Sequence, residues 1–210
     1  MHHLDLKHNS SPVGIVGHSF GGRVALEYLY LLSTSSNINN DSTNIQLPKK
    51  TWILDTLPGA AHSSVENVLN AVSSVPRPIA SKKALVSFLT SEKKISPDIA
   101  AWMTTNLKGN SKLGFDFTFD LNVANSLVRD FDKQEYMNYL HLIPRSNNYD
   151  SNCKVHIVRA GKNTSWNSDI LRQLDEVDSS FLNVHVLPDA GHWLHVDDLE
   201  GLLSLMEKGF

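Results

Sequence analysis

Residues 13–26 pack a strand, a sharp turn and a helix around one serine. Val13-Gly14-Ile15-Val16 is a short apolar run. Gly17-His18-Ser19-Phe20-Gly21 follows at once, and Arg23-Val24-Ala25-Leu26 opens an amphipathic run. G-x-S-x-G alone is common, but between a strand and a helix it reads as a nucleophile elbow. A serine hydroxyl is a weak nucleophile unless it is held out beside a base, and a strained turn at a strand end does that. The helix that follows points its partial positive end at the reacting centre. Gly17 and Gly21 are expected to leave room for backbone that a side chain would foul. Ser19 is the expected nucleophile, and His18 beside it a supporting residue. The plainer alternative is an ordinary serine in a strand–turn–helix corner.

The rest of the chain alternates in the same way. Thr51–Asp55, Lys154–Ala160 and Asn183–Leu187 read as further strands. Arg23–Leu32, Ser168–Glu176 and Asp197–Lys208 read as helices, the last with Leu199, Leu202, Leu203 and Met206 on one face. Strands alternating with helices imply a parallel α/β sheet. Ser33–Asn44 is polar and of low complexity, and is expected to be a disordered loop. Residues from about Val65 to Leu142 carry helical periodicity broken by Pro76, Pro78, Pro97 and Gly109. That block is too long for one crossover. It is expected to be a helical lid, residues 63–150, inserted into a core made of 1–62 and 151–210.

Composition removes several function classes. A net charge of −3 and the lack of a basic, aromatic-laced stripe argue against nucleic-acid binding. No apolar run approaches the roughly 20 residues of a membrane span, and Met1–His8 lacks the apolar core of a signal peptide. His2, His3 and His8 have no carboxylate or thiol at ligand spacing, so neither metal nor other cofactor is expected. The single cysteine, Cys153, excludes an internal disulfide and fits a reducing, intracellular compartment, cytoplasmic or organellar. It reads as a half-buried strand-edge thiol. The expected partner is a small-molecule ester, and the oligomeric state is open.

Three segments, Gly17–Gly22, Leu54-Asp55-Thr56-Leu57-Pro58-Gly59 and Ala190-Gly191-His192-Trp193-Leu194-His195, resemble the α/β-hydrolase superfamily, in particular its small esterase-like members. Phe115–Leu121 is similar to a lid segment of that group. The resemblance runs from Gly14 to the end of the chain. It implies the α/β-hydrolase fold, with the lid placed after the strand that follows the elbow helix and with the N-terminal strands missing.

The order nucleophile, acid, histidine is the one this fold uses. His192 follows a short strand and an Asp-Ala-Gly loop, which suits a general base. His195 reads as structural. The acid usually sits in the loop after Lys154–Ala160, but that loop has no carboxylate before Asp169. Asp55, at the end of the strand after the elbow helix, is the alternative: some members of the superfamily carry their acid there. It would fix the tautomer of His192. Its other reading is a cap on the Thr56–Gly59 turn. Asn163, Thr164 or Ser165 would add a polar contact to the imidazole.

One oxyanion donor is expected from the backbone N–H of Phe20. The second normally comes from an earlier loop, and only 12 residues precede Val13. Any such loop or targeting segment is expected to lie upstream. Two functions remain. One is a carboxylesterase or lipase-like acyl hydrolase with Ser19, His192 and Asp55 as its machinery and Trp102, Phe115, Phe117 and Phe119 lining an acyl pocket or the lid's own core. The other is a non-catalytic or truncated scaffold that binds rather than cleaves.

Overall fold

The structure is a computed structural model that describes residues 12–35, 46–59, 63–131 and 133–208. In chain order the elements are β1 (Gly14–His18), α1 (Phe20–Thr34), β2 (Lys50–Leu54), α2 (Ser63–Ser73), α3 (Lys82–Ser87), α4 (Pro97–Met103), β3 (Leu107–Asn110), β4 (Gly114–Phe117), α5 (Leu121–Phe131), α6 (Tyr136–Leu142), β5 (Lys154–Ala160), α7 (Ser168–Asp175), β6 (Leu182–Leu187), α8 (Leu194–Asp197) and α9 (Leu199–Lys208). They form two compact units: 1–59 together with 135–210, and 60–134.

In the first unit β1, β2, β5 and β6 make a parallel sheet in that order. The inner strands β2 and β5 are buried on both faces, which is why both read as nearly unbroken apolar runs. Register puts Val16 opposite Trp52 and Trp52 opposite His156. On that face Trp52, Leu54, Val158, Ala160 and Leu187 pack with Leu194 of α8 and Leu202 of α9. On the other face α1 lies against β1 and β2 and buries Leu26 and Leu29 completely. In turn α6 packs on α1, where Tyr30 and Tyr139 stack at 4.0 Å and Arg23 lies over the Tyr136 ring at 5.4 Å.

The second compact unit spans 60–134, whereas the expected helical lid runs over 63–150. Tyr136, Tyr139, Leu140 and Ile143 are buried in the first unit. The second unit is also not wholly helical. It gathers α2–α5 around Val72, Val75, Ile79, Leu85, Leu89, Ala100, Met103 and Phe117, and it includes an antiparallel hairpin of β3 and β4. Gly109 (φ 130°) and Gly114 (φ 84°) take the left-handed backbone that this hairpin requires. Phe117 is buried and Phe115 and Phe119 pack on the same core, while Trp102 is exposed.

Elsewhere the expected elements differ from the observed ones by a few terminal residues. The expected last helix is two, α8 and α9, parted at Asp198. The loop expected over Ser33–Asn44 lies mostly outside the described residues, as do His2, His3 and His8, and Ser33 and Thr34 belong to α1. Among the described residues no helix is long and apolar enough to cross a membrane.

Candidate active site

Ser19 stands between β1 and α1 with φ 54° and ψ −118°, a backbone region that costs a non-glycine residue about 1–3 kcal/mol. The surrounding bonds hold it there. Its N–H donates to Leu54 O at 3.0 Å, and its carbonyl accepts from Thr56 Oγ1 at 2.8 Å and Gly22 N at 3.0 Å. A Cβ on Gly17 would lie 2.2 Å from Gly21 O, and one on Gly22 would lie 2.1 Å from Thr56 Oγ1. One on Gly21 would meet no atom within 4 Å among the described residues. Close approach of backbone thus explains Gly17 and close approach of the Thr56 side chain explains Gly22, while Gly21, which the motif suggested, has no such neighbour among the described residues.

Asp55 follows β2 with φ 43°, so its side chain leaves the strand direction while its N–H bonds Val158 O at 2.8 Å. Oδ2 is 2.8 Å from His192 Nδ1, and His192 Nε2 is 3.0 Å from Ser19 Oγ. An ionised carboxylate only accepts, so Nδ1 carries the proton and the Nε2 lone pair faces the serine hydroxyl. Burial alone would push the Asp55 carboxyl up. Bonds from His192, the Ala160 N–H, the Trp166 indole and the Asn163 amide outweigh it and hold the carboxyl below its ordinary value. The Asp55 side chain is fully buried, whereas His192 remains 47% exposed. Such an arrangement can draw the Ser19 proton onto His192 and balance the charge that results.

The loop that carries His192 is tied on three sides. Gly191 N–H donates to Asp197 Oδ2 at 2.7 Å, Lys162 N–H to Ala190 O at 3.0 Å, and His18 Nε2 to His192 O at 2.7 Å. A carbonyl only accepts, so His18 carries its proton on Nε2. Burial holds the His18 imidazole below its ordinary value. Its ring also meets those of His192 and His195, with centroids 4.8 and 5.1 Å away.

The structure brings Ser19, His192, Asp55 and His18 together, and Phe20 opens α1 at the serine's shoulder. Asn163 contacts the Asp55 carboxylate at 2.7 Å rather than the imidazole, while Thr164 bonds neither. Ser165 N–H instead donates to Asn163 Oδ1, which shapes the loop. Trp166 and the Ala160 N–H were not foreseen. An indole three residues beyond Asn163 carries no motif, and only the folded loop turns it onto Asp55. Cys153 is buried rather than half-buried; burial pushes its thiol up to about 12, which removes it from thiolate chemistry.

A sequence model described as the alpha/beta hydrolase family matches residues 2–204, so the chain belongs to that family. Among solved structures it is similar to a marine microorganism esterase (TM-score 0.71, 14% identity, covering 99% of this chain and 73% of that one). It is also similar to E-2-(acetamidomethylene)succinate hydrolase (TM-score 0.62, 14% identity, 98% and 69%). A third is the thioesterase domain of the curacin biosynthetic pathway (TM-score 0.57, 18% identity, 94% and 67%). At these identities the likeness establishes the fold. No curated protein sequence matches the chain.

Proposed function

We propose that the chain is a serine hydrolase that cleaves carboxylic esters through an acyl-enzyme. One observation carries this reading: an unbroken run of hydrogen bonds from Ser19 Oγ through His192 to the buried Asp55 carboxylate, at 3.0 and 2.8 Å. Ser19 Oγ attacks the ester carbonyl as its proton passes to His192 Nε2. The carbon–alkoxide bond breaks and the departing oxygen takes that proton. Water repeats the sequence, giving its proton to His192, and releases the acid and free Ser19. Asp55 keeps Nδ1 protonated and stabilises the imidazolium. The Phe20 N–H, at the positive end of α1, receives the developing oxyanion, a contact worth about 10²–10³ in kcat.

Hydrolysis of p-nitrophenyl esters of graded acyl length tests the reading. The chain should turn over at least one of them, and Ser19→Ala and His192→Ala should each abolish turnover. A folded chain that binds esters but cleaves none would instead be a binding scaffold.

A further inference from the structure

We infer that Trp166 is a positioning residue whose indole N–H pins Oδ1 of Asp55, leaving Oδ2 as the edge presented to His192. This rests on the hydrolase reading above. The two oxygens of a carboxylate are chemically alike, and rotation about the last side-chain bond exchanges them. Here they are held in different company. Oδ1 accepts from Trp166 Nε1 at 2.6 Å and from the Ala160 N–H at 2.9 Å. Oδ2 accepts from Asn163 Nδ2 at 2.7 Å and faces His192 Nδ1 at 2.8 Å. Asn163 and His192 share one oxygen, whereas the Trp166 indole is the side chain that holds the other, so it fixes the plane in which the carboxylate meets the imidazole.

Trp166 is itself fixed. It is 6% exposed, so its position is set by packing as well as by its hydrogen bond. Its loop is closed by the bonds Asn163 N–H to Ala160 O and Trp166 N–H to Asn163 O, and Asn167 Oδ1 caps α7 by accepting from Ile170 N. The same loop is locked to the segment leading to His192. Gly161 N–H donates to Leu187 O, and a Cβ on Gly161 would lie 2.2 Å from Pro188 O. Trp166, Asp55 and His192 therefore share one frame, in which an N–H aimed at a buried carboxylate favours its charged form and fixes its rotation. The titratable group in contact with the carboxylate is His192, with His18 beyond it.

The test separates the N–H from the ring. Trp166→Phe removes the donor and part of the ring. Incorporating β-(3-benzothienyl)alanine at position 166 keeps the bicyclic shape and removes only the donor. The readouts are the Asp55 carboxyl ¹³C titration, assigned by its absence in Asp55→Asn, and kcat and KM on an ester. In both variants the Asp55 midpoint should rise by about one pH unit, since a donor to the charged form is lost. Turnover kcat should fall about tenfold to a hundredfold, the scale of slight misplacement of reacting groups, with KM nearly constant. A benzothienyl variant with the parent midpoint and parent kcat would reduce Trp166 to packing and overturn the inference. The titration needs no turnover. A shifted midpoint in a chain that cleaves no ester would support Trp166 and reject the hydrolase reading, whereas an unshifted midpoint in an active chain would do the reverse.

Discussion

Asp55 Oδ2 lies 2.8 Å from Nδ1 of His192, a contact that spans 137 positions of sequence. It joins the end of β2 to the loop after β6, with β5 between them in the sheet. The loop after β5, where the family resemblance implies an acid, supplies donors instead, Asn163 and Trp166. One loop makes the bonds that hold the Asp55 carboxylate, and another strand end carries it.

Asp55→Asn should lower kcat by up to about 10⁴, because an amide no longer enforces the Nδ1–H tautomer of His192. It should also cost about 1–3 kcal/mol of stability, since an amide nitrogen would face donors that a carboxylate accepts. Steady-state kinetics and urea unfolding of one preparation read both. Unchanged kcat would remove Asp55 from the mechanism.

The elbow glycines should not behave alike. Gly21→Ala should leave stability unchanged or raise it by up to about 1 kcal/mol, as expected for alanine replacing an unhindered helical glycine. Gly17→Ala and Gly22→Ala should each destabilise by more than about 2 kcal/mol, because their Cβ atoms fall 2.2 and 2.1 Å from Gly21 O and Thr56 Oγ1. Urea midpoints of the three variants rank them. Equal losses at Gly21 and Gly22 would contradict the packing described.

Stability should fall on mild acidification. On β5, His156 is buried, stacks on Trp52 at 4.2 Å and has Nδ1 3.0 Å from His185 Nε2. Burial first, then His185, Lys50 and Lys154, hold its imidazole down at about 4. An unfolded histidine titrates near 6.5. Between those values the unfolded chain binds more protons, so this contribution is complete above about pH 6.5 and is lost as pH falls toward 4. Urea unfolding at pH 7.5 and pH 5 should differ by roughly 1–2 kcal/mol. His156→Phe, which keeps a ring on Trp52 without a proton site, should reduce the dependence, leaving the smaller part from His18 and His185. Equal stability at the two pH values in the parent would show that His156 takes up its proton in the fold.

The parallel sheet was legible because buried strands read as apolar runs; Lys154–Ala160 agrees with β5 at both ends. The β3–β4 hairpin was not, since Leu107–Asn110 is interrupted by glycine, although Phe115-Asp116-Phe117 carries the alternation of a half-buried strand. The end of the second unit carries no sequence mark, because Tyr136 and Tyr139 choose their unit by packing on α1, a partner remote in sequence. In the candidate site, Ser19 and His192 are marked by local turn chemistry and chain order, and Asp55 as one of two readings of its strand end. Trp166 and Gly22 are not, because what each meets, Asp55 and Thr56, lies far along the chain.

The most direct measurement is covalent labelling. A fluorophosphonate probe should form a single adduct, mapped by peptide mass spectrometry to Ser19, and the adduct should vanish in Ser19→Ala and weaken strongly in His192→Ala. No adduct on the folded chain, or an adduct that persists in Ser19→Ala, would contradict a nucleophilic Ser19 activated by His192 and Asp55.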